Sequence, residues 1–238
     1  MDTVFSRTAM LFGEAGMKKL AASHVAVFGL GGVGGHAAEA LVRSGIGTLT
    51  ICDNDSIAPS NINRQLFATA DTCSMKKTEA AKARLLSINP NLKIITADYF
   101  FDASQKELFD FSSYDYVLDC IDTVTSKLLL IECCQAAQVP LLVCLGTGNK
   151  TDPTRLRVDD ITKTSVCPLA RVMRTECKKR GIRHLRVVWS DEPPAKAYPS
   201  ETEAPQNGRR AIPASTAFVP PAAGILMART AVMQLLGN

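Results

Sequence analysis

Short apolar runs alternate with longer segments of helical spacing through the first 146 residues of the chain. HVAVFGL (24–30) is apolar up to Gly29 and predicts a strand. VGGHAAEALVRSG (33–45) is helical in composition and stops at Gly45. TLTICD (48–53), LKIITAD (92–98), YDYVLDCID (114–122) and PLLVCLG (140–146) repeat the strand pattern. SMKKTEAAKARLLSIN (74–89), closed by Asn89 and Pro90, and a segment over about 125–138 repeat the helical one. This order predicts an α/β fold, a Rossmann-like parallel sheet with helices on both faces.

After Gly148 the pattern loosens. TRLRVDDI (154–161) and HLRVVWS (184–190) read as strands around a basic helix, PLARVMRTECKKRG (168–181). Residues 191–210 hold four prolines and four acidic side chains with few apolar ones, which predicts a mobile loop. FVPPAAGILMARTAVMQLL (218–236) is an apolar helix begun by proline and ended by Gly237. Arg229 and Gln234 argue against a membrane role, and packing on the sheet is expected. The chain therefore divides into a core, 1–150, and a smaller mixed α/β extension, 151–238, packed with it as one domain.

Composition adds limits. A chain of 238 residues that is 46% hydrophobic can bury a sizeable core. The net charge of +4 demands no particular partner, so charge distribution carries the information. The eight cysteines include no CxxC pair, and several sit inside apolar runs, as in VLDCI and LLVCL. The start of the chain, MDTVFSRTAMLFGEAG, lacks the apolar stretch of a signal peptide. A reduced, cytoplasmic protein with no membrane contact is the expectation.

Candidate chemistry begins at Gly29-Leu-Gly31-Gly32-Val-Gly34, a GxGxxG between the first strand and first helix. Such glycines permit a tight turn, and the helix start offers unpaired N–H groups to phosphate. Asp53 closes the second strand, where an acid accepts hydrogen bonds from ribose hydroxyls. To this point NAD and ATP fit equally. The following loop, DNDSIAPSNINRQLF (53–67), separates them. A dehydrogenase needs no extra cations near its phosphates, whereas an enzyme that splits ATP between α and β phosphates must neutralise the departing pyrophosphate. Arg64 can fork two phosphate oxygens, Lys77 can reach a phosphate, and Asp122 lies at the carboxyl edge of the sheet, where a carboxylate suits Mg²⁺. An NAD-dependent oxidoreductase or a simple binding module leaves these three residues unexplained.

GLGGVG, the Asp-x-Asp of Asp53 and Asp55, SNINRQ (60–65), Lys77 with Glu79, and CIDT (120–123) occur in one order. Together they resemble the ThiF-type adenylating enzymes, which activate ubiquitin-like and sulfur-carrier proteins. The resemblance implies ATP and Mg²⁺ as cofactors. It implies that Asp53 holds the ribose, that Asn61 and Arg64 contact phosphates, that Lys77 supports the α-phosphate and that Asp122 handles Mg²⁺. Arg7, in FSRTAMLFG, matches an arginine that reaches into the partner subunit's site, which implies a homodimer. Two positions depart from the pattern: Cys73-Ser74 stands where Val-Gly is usual, and Thr123 where Asn is usual.

Within that superfamily the N-terminal stretch from Ser6 to Gly47, the TDPTRLRVDDITKTSVCPLARVMR segment and the overall length resemble the tRNA threonylcarbamoyladenosine dehydratases. The resemblance implies adenylation of the threonylcarbamoyl carboxylate on a tRNA adenosine, then ring closure by an atom of the same side chain. A tethered nucleophile has a high effective molarity and needs no protein thiol. RVMRTECKKRGIRHLR (171–186) holds seven Lys or Arg and one Glu, so Arg171, Arg174, Lys178, Lys179 and Arg180 are candidate tRNA contacts. The alternative is an adenylyltransferase that activates the C-terminus of a ubiquitin-like sulfur carrier. A sulfur-transfer partner protein also stays open.

Overall fold

The computed structural model describes residues 4–199 and 213–237. Among these residues seven strands form one sheet: β1 His24–Phe28, β2 Thr48–Cys52, β3 Lys93–Ala97, β4 Tyr116–Asp119, β5 Leu141–Cys144, β6 Leu156–Asp160 and β7 Arg186–Ser190. Their order across the sheet is β3-β2-β1-β4-β5-β7-β6. All neighbours are parallel except β6, which runs antiparallel to β7 at one edge. The strands of the second half thus continue the sheet of the first. Of the region read as a mobile loop, 191–199 is described and has no regular structure, whereas 200–210 lies outside the described residues.

Among the described residues six α-helices connect or flank these strands: α1 Ser6–Ala22, α2 Gly34–Arg43, α3 Lys77–Ile88, α4 Val124–Ala136, α5 Pro168–Lys179 and α6 Val219–Leu236. Strand side chains alternate between the two faces. Val25, Val27, Leu49, Ile51, Leu118 and Val188 join one core with α2, α3 and α6. The opposite face is covered by two smaller clusters. One packs Phe28 among Phe101, Phe109 and Phe111, and the other packs Val143 and Val187 against α4 and α5. Central strands covered on both faces must be apolar almost throughout, which is why HVAVF and YVLD read as continuous runs.

α6 reaches the sheet, but it lies chiefly along α2. Gly224 allows this approach, because a Cβ there would fall 2.2 Å from the Val33 carbonyl oxygen. Among the described residues it is the one helix long and apolar enough to cross a membrane, and half of it is buried inside the protein. α1 was not foreseen as an element. Only Leu20 of its side chains is fully buried, and Gly13 breaks it with φ 69°, so its sequence carries no clean apolar stripe.

α2 and α3 are tied by one carboxylate. Glu39 accepts from Arg43 Nε at 2.8 Å and from Arg84 Nε at 2.9 Å. Burial alone would raise its pKa, but the two guanidinium groups outweigh this and hold it below the ordinary value. A folded pKa below the unfolded one gives stability at neutral pH that is lost as pH falls through the folded value. Glu39→Gln is expected to cost about 1 kcal/mol at neutral pH, since both arginines are half exposed. Urea titrations at neutral and strongly acid pH check this, and the two proteins should converge at the acid end.

Candidate active site

Strand order reverses between β1 and β4, because β1 passes to β2 and β3 on one side while β4 leads to β5 on the other. The crevice at the carboxyl ends of these two strands is where ligands bind in such sheets. The β1–α2 turn and the 120–123 segment form its two walls, and they touch. Gly29 has φ +89°, and its N–H donates to the Cys52 carbonyl at 2.7 Å. A Cβ at Gly29 would stand 2.7 Å from the Cys120 carbonyl oxygen, and one at Gly34 would stand 1.7 Å from that of Gly29. Gly31 differs, since no atom lies within 4 Å of its would-be Cβ. Two glycines therefore close the turn against the protein and one faces open space beside the start of α2, where the Gly35 N–H donates to the Gly31 carbonyl at 3.1 Å.

The predicted acid is anchored to this turn. Asp53 Oδ2 accepts the Leu30 N–H at 2.7 Å, and its Oδ1 accepts the Asp55 N–H at 2.9 Å. Burial raises the Asp53 pKa, with Lys77 the strongest opposing influence. Lys77 opens α3 and is itself buried; its Nζ lies 2.6 Å from Asp55 Oδ2 and 3.5 Å from Asp53 Oδ1. Ser74, at the departure from Val-Gly, takes φ 71°, and α3 starts at Lys77 with Lys76 before it.

Arg64 follows a short 3-10 turn, Pro59–Asn61. Its Nη1 donates to Ser60 O and to Asn63 Oδ1, both at 2.9 Å. Asn61 Oδ1 accepts the Ala58 N–H at 3.1 Å, which shapes that turn. A Cβ at Gly32 would come within 3.4 Å of Arg64 Cγ, so the arginine stem lies along the glycine turn. Asp122 is exposed between β4 and α4, with Thr123 Oγ1 donating to its Oδ1 at 3.3 Å. The glycine turn thus contacts Asp53 through Leu30, Arg64 through Gly32, and the Asp122 segment through Gly29. Arg7 is exposed in the first turn of α1, and no hydrogen bond or ion pair joins it to this group among the described residues.

The basic helix is less free than its sequence implies. Arg174 Nη1 is held on the Thr164 carbonyl at 2.8 Å and on the Thr164 hydroxyl. Lys179 pairs with Glu176 at 2.7 Å, and Arg180 with Glu132 at 3.1 Å and Glu176 at 2.7 Å. Arg171 and Lys178 are exposed and carry no ion pair among the described residues.

The sequence reading passed over Asp119 and Lys127. Both are completely buried, with Lys127 Nζ 3.0 Å from Asp119 Oδ1 and 2.8 Å from the Cys144 carbonyl oxygen. The available signal was a charge inside each of two apolar runs, VLDCI and SKLLLI, since a charge in such a setting must find a partner. Cys120 and Cys144, beside this buried pair, carry no activation. Burial pushes Cys120 well above the ordinary thiol value and Cys144 up to about 12, which leaves them protonated at neutral pH.

The model of the ThiF family matches residues 5–238. The tRNA threonylcarbamoyladenosine dehydratase of Bacillus subtilis (strain 168) is 40% identical over 239 residues, covering 98% of this chain and 94% of that protein. Crystal structures of the Escherichia coli tRNA N6-threonylcarbamoyladenosine dehydratase, TcdA, in complex with AMP and with ATP superpose with TM-scores of 0.87 at 31% identity. Each covers 98% of this chain, and the chain covers 94% and 93% of theirs. The adenylyltransferase and sulfurtransferase MOCS3 of Drosophila virilis is 38% identical, but over 62% of this chain and 32% of its own length.

Proposed function

The chain belongs to the ThiF family, and from that premise we propose that it catalyses the ATP-dependent dehydration of N6-threonylcarbamoyladenosine in tRNA. One observation carries the choice within the family. Likeness to a dehydratase runs over 98% of the chain, whereas likeness to the MOCS3 adenylyltransferase stops at 62%. The residues beyond the shared adenylation core are the ones expected to recognise the acyl substrate. We take 1–150 as that core and 151–238 as the tRNA-facing extension, in a cytoplasmic homodimer to which a sulfur-transfer protein remains a candidate partner.

The reaction has two steps. A carboxylate oxygen of the threonylcarbamoyl group attacks the α-phosphorus of ATP, and the bond to pyrophosphate breaks. An atom of the same side chain then attacks the acyl carbon and gives up its proton to solvent, the ring closes, and AMP leaves with the carboxylate oxygen. The net change is loss of water from the modification. In this reading Gly29, Gly31, Gly32 and Gly34 bring backbone against the phosphates. Asp53 and Asp55 sit on the ribose side, and Lys77, held between them, is poised at the α-phosphate. Arg64 and Asn61 meet the departing pyrophosphate, and Arg7 serves the partner's site. Asp122, an exposed single carboxylate on the crevice wall, matches the donor chemistry of Mg²⁺, which takes one or two carboxylates beside phosphate oxygens. When bound, that ion neutralises charge on the phosphates. Along α5 and its end, Arg171 and Lys178 are the cations best placed to meet tRNA phosphates, and Arg174, Lys179 and Arg180, which already hold protein acceptors, would join them.

ATP–pyrophosphate exchange decides between the two acyl substrates. Exchange is expected to require tRNA bearing threonylcarbamoyladenosine, with mass analysis of that tRNA showing the cyclic form. Exchange driven only by a carrier protein ending in Gly-Gly would favour the adenylyltransferase reading and remove the dehydratase.

A pH effect follows from Asp53. Its carboxylate must be ionised to accept from both ribose hydroxyls, and burial raises its pKa. ATP affinity is therefore expected to fall on acidification earlier than an ordinary carboxylate would dictate. Its contribution to folding has the opposite sign, because a raised folded pKa costs stability at neutral pH and returns it as pH falls. Calorimetric titration with ATP from neutral to mildly acid pH checks this, and Asp53→Asn should bind weakly with a flat profile.

A further inference from the structure

We propose that Asp119 and Lys127 are positioning residues for adenylation, fixing the backbone from which Asp122 enters the crevice; this rests on the role of Asp122 given above. Asp119 is the last residue of β4, and Lys127 lies in the first turn of α4. One ammonium joins the ends of two strands, since it meets Asp119 Oδ1 at 3.0 Å and the Cys144 carbonyl closing β5 at 2.8 Å. The same Oδ1 accepts the Ile121 N–H at 3.0 Å. The Lys127 N–H donates to the Thr123 carbonyl at 3.0 Å, and the Cys120 N–H to that of Phe28 at 2.8 Å. Residues 120, 121 and 123 are thus tied to buried groups, and Asp122 is the exposed residue among them.

Stability alone does not account for this pair. Two charges with no exposure lose their hydration, and an apolar pair of equal volume often serves folding as well or better. Asp119 Oδ2 is also buried without a hydrogen bond among the described residues, a further cost. What the pair supplies is direction. It sets a four-residue segment against Gly29, where no Cβ would fit, and so fixes the distance from the glycine turn to Asp122. A displacement near 1 Å in such a segment can lower a rate by about a hundredfold.

The test uses the full chain carrying Asp119→Asn with Lys127→Met, which removes both charges and nearly keeps shape. Three quantities are measured: the urea unfolding midpoint, kcat and KM for ATP in pyrophosphate exchange, and the Mg²⁺ concentration that raises Tm in the presence of a nonhydrolysable ATP analogue. The expected result is a near-native urea midpoint, KM for ATP within about threefold, kcat lowered at least about tenfold, and a Mg²⁺ midpoint raised by about tenfold. Native kcat together with a native Mg²⁺ midpoint overturns the proposal. Should the double variant not fold, Asp119→Asn with Lys127→Gln, which keeps an acceptor for Ile121 and leaves no buried charge unpaired, is read by the same criteria. Asp122→Ala runs beside it. If Asp122→Ala loses the Mg²⁺ effect while the double variant stays native, only the positioning role fails. If Asp122→Ala itself keeps the Mg²⁺ effect and the exchange rate, the assignment of Asp122 fails.

Discussion

Asp122→Ala and Arg64→Ala are each expected to lower AMP formation by roughly a hundredfold to a thousandfold, the loss typical of one preorganised charge-stabilising group. Both side chains belong to loops beside the glycine turn and neither is part of the core, so the fold should survive. Arg64 is not a loose surface cation. Its Nη1 is held by Ser60 and Asn63, and its stem lies along Gly32. Charge that develops on leaving pyrophosphate would therefore meet a guanidinium already aimed, with little reorganisation. Arg64→Lys distinguishes charge from geometry, because an ammonium cannot fork two phosphate oxygens. It should recover less than a tenth of the lost rate if bidentate contact matters, on the order of one kilocalorie or more per bond. Single-turnover AMP release, with circular dichroism to confirm folding, measures this. Near-native turnover in either alanine variant would mean that the crevice between β1 and β4 is not where ATP reacts.

The second large effect concerns stability. Lys127→Met leaves Asp119 buried with one N–H donor and no counter-charge, and breaking a pair of this kind costs about 3–5 kcal/mol. Domains are stable by roughly 5–15 kcal/mol, so the variant should lose a large share of its margin. Burial already raises the Asp119 pKa, and Lys127 is the leading influence that restrains it. Without the lysine the carboxyl rises further and takes up a proton. A raised folded carboxyl pKa returns stability as pH falls, so the deficit should shrink on acidification, here because the variant regains stability, whereas the Glu39→Gln deficit closes because the native protein loses it. Adding Asp119→Asn should restore most of the loss at neutral pH. Urea titrations of the single and double variants across pH test both statements, and a deficit that does not change with pH would show that lost packing, not charge, is responsible.

The particular elements show where sequence reading succeeds. HVAVF and TLTIC are legible because strands covered on both faces need consecutive apolar residues. GLGGVG is legible because a turn with a left-handed Gly29 and no room at Gly34 tolerates no side chain at either position. Asp53 and Arg64 are legible by their place after strand and loop. α1 is not, since Leu20 is its one fully buried side chain and Gly13 breaks its period. Arg174 is a candidate tRNA contact by sequence, and in the structure Thr164 holds its guanidinium. A charged helix advertises its charges in sequence, and only packing decides which of them are already satisfied.

By itself, then, the sequence determined the order of strands and helices from His24 onward, the glycine turn and the polar residues that follow the strands beside it. Each of those follows from a local period or from one residue's allowed backbone, and both are written within a few positions of chain. Tertiary structure alone decided that Lys77 sits between Asp53 and Asp55, that Arg64 lies on Gly32, and that Asp119 meets Lys127 while holding the Ile121 N–H. Such pairings join different elements. Their energies depend on burial and distance, and neither quantity exists until the sheet has assembled.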